Sequence, residues 1–169
     1  MPTRKPFEFS GHVIDGGARR TVDLPVSTLS DHTPIDLKVH VIHGKKAGPT
    51  VFVSAAVHGD EVMGVEIVRR FLQSDLLGGL RGTLMVVPIV NAFGFHNRSR
   101  YLPDRRDLNR SFPGSSAGSL ASRLAGIFLE QVVKRCDLGI DLHSAAIHRT
   151  NLPQVRVSNG NARTMALAE

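Results

Sequence analysis

A histidine, an aspartate and a glutamate stand together in Ala55-Ala56-Val57-His58-Gly59-Asp60-Glu61, directly after the apolar run Val51-Phe52-Val53-Ser54. A second histidine, His143, closes another strand-like run, Cys136 to Leu142. Brought together at adjacent strand ends, His58, Glu61 and His143 form the two-histidine, one-glutamate set of a catalytic zinc site, which keeps a fourth position for water. His58 and Glu61 are three residues apart, so a helix beginning in this stretch would point both side chains to roughly the same side. The competing reading is an ordinary first helical turn. The helix dipole alone favours Glu61 there, and a lone His-x-x-Glu is a common pair.

The elements that must carry these residues are read from periodicity. Ile35, Leu37, Val39 and Val41 alternate with polar residues, as in a half-buried strand. Gly44 to Pro49 reads as a turn. Thr50 to Val57 is almost wholly apolar, as expected of a central strand covered on both faces. Residues 60–76 take helical spacing, with Val62, Val65, Val68, Phe71 and Leu72 on one face, and Gly78-Gly79 ends that helix. Gly82 to Val90 is a second buried strand. Asn91 to Ala117 forms one long loop; loops beyond about 12–15 residues are functional or disordered, and the fixed polar groups here favour function. Ser119 caps a helix from Leu120 to Lys134, with Leu124, Phe128 and Val132 inward. Cys136 to Leu142 is a further strand, Val155 to Val157 a candidate for one more, and Asn159 or Asn161 the cap of a last helix. Residues 7–29 give short apolar runs broken by Gly16-Gly17 and Pro25. The order predicts an α/β fold with a mostly parallel or mixed sheet flanked by helices. We divide it into a strand-rich lead-in, residues 1–34, and a catalytic domain, residues 35–169. In open sheets of this kind ligands gather beyond the carboxyl ends of the strands, where His58 and His143 lie.

Composition narrows the function. A chain of 169 residues, 41% hydrophobic, suits one globular domain. The single cysteine, Cys136, excludes an internal disulfide and points to a reducing, cytoplasmic setting. No apolar stretch reaches the roughly 18 residues of a membrane span, and no apolar run follows the basic N-terminus as a signal peptide would require. The net charge of +6 raises nucleic acid as a partner. The placement argues against it: Arg98, Arg100, Arg105, Arg106 and Arg110 interleave with Asp104 and Asp107, and only Tyr101 offers a stacking ring among them. Arginines fixed among glycines and prolines suit a small carboxylate, gripped in a bidentate fork. The alternative is a solvated basic loop. His12, His32, His40 and His43 read as surface groups, His96 and His148 as structural ones. Asp141, two residues before His143, shares its strand face, and either bonds that histidine or serves the strand end.

Three ordered segments, HGDE, NAFGFHNRSRYLPDRRDLNRSFPG and DLHSA, resemble the succinylglutamate desuccinylase/aspartoacylase family, a branch of the zinc carboxypeptidase-like hydrolases. The resemblance runs from about Val51 to His143. It implies one zinc per chain, held by His58, Glu61 and His143, with Asp107 as the carboxylate that orients the first histidine. It implies that Asn109 and Arg110 hold a substrate carboxylate and that Arg100 polarises the scissile carbonyl, with Arg98 as the rival for that place. The implied reaction is hydrolysis of an amide, or an ester, in a small N-acylated amino acid or related carboxylate. Zinc brings the pKa of its water to about 7, and an arginine steadies the developing oxyanion. The family's general base is a glutamate well downstream of the second zinc histidine, whereas residues 144–169 contain one carboxylate, Glu169. The C-terminal part of the fold and that base are therefore expected to be missing, leaving a feeble hydrolase with exposed sheet surface; homo-oligomerisation stays open. The other function class is a non-catalytic basic α/β module that binds a small anion through its arginine loop.

Overall fold

The computed structural model describes residues 4–157 and 161–169. Among the described residues five strands come first and helices and two further strands follow: β1 (Phe7–Phe9), β2 (His12–Ile14), β3 (Arg19–Thr28), β4 (Pro34–His43), β5 (Lys46–Ala55), α1 (Met63–Gln73), β6 (Arg81–Val87), α2 (Ala92–Asn97), α3 (Leu120–Gln131), β7 (Leu138–Leu142) and α4 (Ala162–Ala168). β1 and β2 form a separate hairpin; the others make a mixed sheet in the order β3-β4-β6-β5-β7. β6, β5 and β7 run parallel, while β3 and β4 complete the sheet antiparallel. The predicted mixed sheet flanked by helices is thus present. The boundary drawn after residue 34 falls one residue inside β4, which pairs with β3 along its length.

Helices cover both faces. On one, Val68 of α1 packs with Ile42, Ala55, Leu84 and Val86. On the other, Leu124, Phe128 and the following Val132 meet Val39, Val41, Met85 and Val87, with Phe9 and Ile14 of the hairpin joining this larger core. Covering both faces removes apolar area from water at roughly 25 cal/mol per Å², which is why β5 and β6 read as continuous apolar runs rather than alternating ones. α3 begins as predicted, with the Ser119 hydroxyl accepting from Ser122 N–H.

Several boundaries differ from expectation, each for a tertiary reason. The turn expected over residues 44–49 shrinks to residues 44–45, and β5 begins at Lys46. β6 lies between β4 and β5, so this link crosses the start of β6. A Cβ on Gly44 would overlap the Leu80 carbonyl, and one on Gly82 the Pro49 carbonyl; glycine permits the crossing. His43 is buried, not a surface group: its ring bonds Thr83 Oγ1 at 2.8 Å and the Lys5 carbonyl at 3.0 Å. The long loop contains α2 and a 3-10 turn, Leu108–Arg110. Residues 155–157 form no strand; Val155 is exposed and unpaired by any sheet neighbour among the described residues. Asn161 caps α4 through Arg163 and Thr164 N–H, and Asn159 lies outside the described residues. No described helix is long and apolar enough to cross a membrane.

Cys136, partly buried, packs against the larger core with its Sγ 3.7 Å from Met85 Sδ. Burial, then the Asp137 charge, pushes its thiol from 9.0 up to about 11. A raised folded value means that the proton stabilises the fold below about pH 9, a contribution lost as pH rises towards 11. Iodoacetamide should therefore modify native Cys136 slowly at pH 7–8 and far faster in urea, as read by mass spectrometry; equal rates would contradict the burial. Leu108 is fully buried and pegs the long loop to the core. Leu108→Ala should lower stability by about 2–5 kcal/mol in urea titration.

Candidate metal centre

The parallel strands β5 and β7 pair in register from Val51↔Leu138 to Ala55↔Leu142. Their carboxyl ends therefore finish side by side, and the residues that follow them meet. After β5 the chain bends at Ala56, whose φ of 51° is left-handed. Two backbone bonds hold that bend: Val90 N–H to the Ala55 carbonyl at 3.0 Å and Asn91 N–H to the Ala56 carbonyl at 2.9 Å. Strain of this kind costs about 1–3 kcal/mol and persists where surrounding structure over-determines it. His58 to Glu61 then form a turn, with Glu61 N–H donating to the His58 carbonyl at 3.2 Å. The helix expected from residue 60 starts only at Met63, so a turn, not a helical face, brings His58 and Glu61 together. Gly59 lies against α2 so closely that a Cβ would overlap the backbone of Gly94 and Phe95. α2 is itself capped by Asn91, whose side chain accepts from Gly94 N–H at 2.8 Å.

The three predicted ligands converge. Glu61 Oε1 is 2.8 Å from His58 Nδ1, and Glu61 Oε2 is 2.8 Å from His143 Nδ1. One donor atom from each of the three residues lies within 4.8 Å of the others, a group that could hold a metal ion. The remaining nitrogens face carboxylates: His58 Nε2 meets Asp107 Oδ1 at 3.2 Å, and His143 Nε2 meets Asp141 Oδ2 at 2.7 Å. Both nitrogens of each ring thus face oxygen acceptors, whereas a neutral imidazole carries a single N–H. A second cationic proton on each ring, or a cation on the Nδ1 side, resolves that conflict. Among the side chains bonded here, three carboxylates (Glu61, Asp107, Asp141) face one guanidinium (Arg100), leaving two negative charges that suit a divalent cation. The donor set fits zinc.

The electrostatics follow the same pattern. Burial alone raises the Glu61 carboxyl, but hydrogen bonds from His143, His58 and the Ser144 N–H outweigh it and hold the group well below the ordinary carboxylate range. Burial likewise opposes ionisation of Asp107, and the His58 and Arg100 charges bring its value down. Bonds to Asp141, then Glu61, raise the His143 imidazole to about 10 against the opposing effect of burial. Metal binding would take the place of that proton.

The loop arginines separate. Arg100 reaches the centre: its Nε donates to Asp107 Oδ2 at 3.0 Å and its Nη1 lies 3.5 Å from Glu61 Oε1. Arg98 does not. It takes a left-handed φ of 52° at the end of α2, and its guanidinium lies over the Phe95 ring, 5.7 Å from the centroid. Asn109 and Arg110 are exposed beside Asp107, where Asn109 N–H donates to Asp107 Oδ1 at 2.8 Å. Asp107 is thus bonded to His58 while anchored by Arg100 and a backbone N–H. Reading the sequence left Asp141 between two roles, and the structure shows the bond to His143. The Ser144 N–H on Glu61 and the Gly59–Gly94 contact were missed. Backbone donors leave no mark in side-chain pattern, and glycine pairs signal close approach only once two segments are known to meet.

A sequence profile of the succinylglutamate desuccinylase/aspartoacylase catalytic domain matches residues 47–169. Over 132 residues the chain is 33% identical to N-alpha-acetyl-L-2,4-diaminobutyric acid deacetylase of Halomonas elongata, which covers 77% of this chain and 38% of that protein. A succinylglutamate desuccinylase/aspartoacylase of Rhodobacter sphaeroides superposes with a TM-score of 0.68 at 26% identity, over 76% of this chain and 40% of that one. A metallo-carboxypeptidase of Pseudomonas aeruginosa superposes with a TM-score of 0.56 at 22% identity, over 74% of this chain and 35% of that one, a likeness of fold. The chain spans 35% to 40% of the length of these three proteins.

The backbone contact behind the ligand turn makes two glycines behave oppositely. Gly59→Ala must push α2 away from the turn and should cost about 1–3 kcal/mol, the range for overpacking. Gly126→Ala, inside α3, meets its nearest neighbour at 3.4 Å and should be neutral or stabilising by up to about 1 kcal/mol, since alanine favours helix. Urea midpoints of the two variants decide; equal midpoints would contradict the close packing of the turn on α2.

Proposed function

The chain belongs to the succinylglutamate desuccinylase/aspartoacylase family, and from that premise we propose that it carries the metal-binding and carboxylate-binding groups of a metal-dependent amidohydrolase. The substrate class is a small N-acylated amino acid or related carboxylate, cleaved at its amide, or at an ester in the same position. The observation that carries this reading is the buried Glu61 carboxylate held at 2.8 Å from both His58 Nδ1 and His143 Nδ1. His58, Glu61 and His143 would hold one zinc per chain, and when bound the ion supplies Lewis acidity, polarising an oxygen and bringing the pKa of a water to about 7.

The chain's own residues do the rest. Asp107 fixes the His58 ring from its Nε2 side. Arg100, tethered to Asp107 and 31% exposed, can turn a guanidinium N–H to the scissile carbonyl, where negative charge develops. Asn109 and Arg110, exposed on the same turn, take the substrate carboxylate, and the planar fork of Arg110 supplies parallel donors. Holding that end orients the acyl group towards the centre and turns an encounter into a directed attack. Arg98, stacked on Phe95, is turned away from this centre, which leaves the carbonyl role to Arg100. The name of the Halomonas relative, a deacetylase of an N-acetylated diamino acid, supports an amide as the bond cleaved.

The test starts from elemental analysis. The chain should bind about one zinc, and His58→Ala or His143→Ala should cut zinc affinity by orders of magnitude while far-UV circular dichroism is unchanged. Full zinc occupancy in a chain carrying both substitutions would remove these residues from the metal site. Calorimetry with N-acetyl amino acids on the zinc-loaded chain tests the arginine. Arg110→Ala should weaken binding roughly ten- to a hundred-fold, the loss of one charge-assisted hydrogen bond of about 1.5–3 kcal/mol. Arg110→Lys should restore it only in part, and Arg105→Ala should leave it unchanged. Unchanged affinity in Arg110→Ala would take this residue out of the substrate site.

A further inference from the structure

Ser54 is the one hydroxyl among the last apolar residues of β5, and it is fully buried. A buried hydroxyl is unfavourable unless it is hydrogen-bonded. Its partner is Asp141 on β7, directly opposite in the parallel register: Ser54 Oγ donates to Asp141 Oδ1 at 2.8 Å. The other oxygen of the same carboxylate, Oδ2, faces His143 Nε2 at 2.7 Å. We propose that Ser54 is a positioning residue for the metal centre, acting through Asp141 to set the proton and the ring orientation of His143. The inference rests on the metal reading above.

The argument is a comparison of the two histidines. Each turns Nδ1 towards Glu61 and Nε2 towards an aspartate. On the His58 side, Asp107 is fixed by Arg100 and by Asn109 N–H. On the His143 side, Asp141 has one anchoring side chain among the described residues, Ser54. Asp141 is also a third exposed and lies on β7, an edge strand of the sheet. Without Ser54 its carboxylate is free to rotate towards water. With Ser54 donating to Oδ1, Oδ2 stays on Nε2–H, which leaves the Nδ1 lone pair directed at the centre. Ser54 Oγ keeps its proton throughout; it orients and does not transfer.

The test compares Ser54→Ala, Asp141→Ala and the double variant, reading zinc affinity by competition with a chromophoric chelator and the visible absorption of the cobalt-loaded chain. Circular dichroism and urea midpoints of the metal-free proteins control for folding. Each single variant should lose about 10- to 100-fold in zinc affinity, the range for such outer partners, and shift the cobalt bands. If Ser54 acts through Asp141, the double variant should bind zinc as Asp141→Ala does, because the two losses do not add. Zinc affinity of Ser54→Ala equal to that of the unaltered chain, or losses that multiply in the double variant, would overturn the inference. Should Ser54→Ala fail to fold, Asp141→Ala decides alone, and unchanged affinity there has the same meaning. An unaltered chain that takes up no zinc would defeat the metal reading and this inference together. Normal uptake lost in His58→Ala but not in Ser54→Ala would defeat this inference only.

Discussion

The carboxylate of Glu61 is the constraint around which this structure is arranged. It is 4% exposed and accepts from or faces His58, His143, the Ser144 N–H and Arg100. Those partners come from three segments remote in sequence: the turn after β5, the end of β7 and the loop after α2. An unpaired buried carboxylate would cost several kcal/mol, so these segments must meet or Glu61 must stay in water. The converse also holds. Three carboxylates crowded around two imidazoles repel one another, and only protons, a guanidinium or a metal cation make that crowd stable. The site is a charge-balance problem that the fold poses and a cation solves.

The sheet makes the meeting possible. β5 and β7 run parallel and in register, so their ends, and with them His58 and His143, finish on the same side. Gly139 lies opposite Phe52, and a Cβ there would overlap the phenyl ring; the glycine lets β7 sit flat against β5. Behind the site, Gly59 rests on the first turns of α2, which Asn91 holds in place. Aliphatic side chains of α1 and α3 pack on the two faces of the sheet, and Val57 and Leu108, the neighbours of His58 and Asp107, are buried in the larger of these two clusters.

The arginine loop is ordered by a few pegs. Leu102 and Leu108 are buried in the larger core, and Asp104 Oδ2 accepts from Ala121 N–H at the start of α3 at 2.9 Å. Between and just after these pegs the chain turns outward, leaving Arg105, Arg106, Asn109 and Arg110 in solvent. Arg100 alone of these arginines folds back, drawn by Asp107 and Glu61. A loop held in this way can offer several guanidinium groups at the mouth of a site while committing one of them to its interior.

The amino-acid sequence determined which residues are candidates for chemistry and the order of the main elements. The donor set His58, Glu61 and His143 is legible because metal chemistry resides in residue type, and the apolar runs of β5, β6 and α3 because burial imposes periodicity. It misplaced what depends on distant partners. Gly48-Pro49 reads locally as a turn, yet it lies within β5, because Lys46 and Thr50 pair with Arg81 and Thr83 of a strand met later. His43 looks like a surface residue until Thr83 and Lys5 enclose it. Arg98 and Arg100 look interchangeable until the left-handed turn at Arg98 sends one over Phe95 and the other to Asp107. Only the tertiary structure decided which nitrogen of each histidine faces which oxygen. That follows from strand register, and Ser54 and Asp141 lie 87 residues apart, too far for any local pattern to encode.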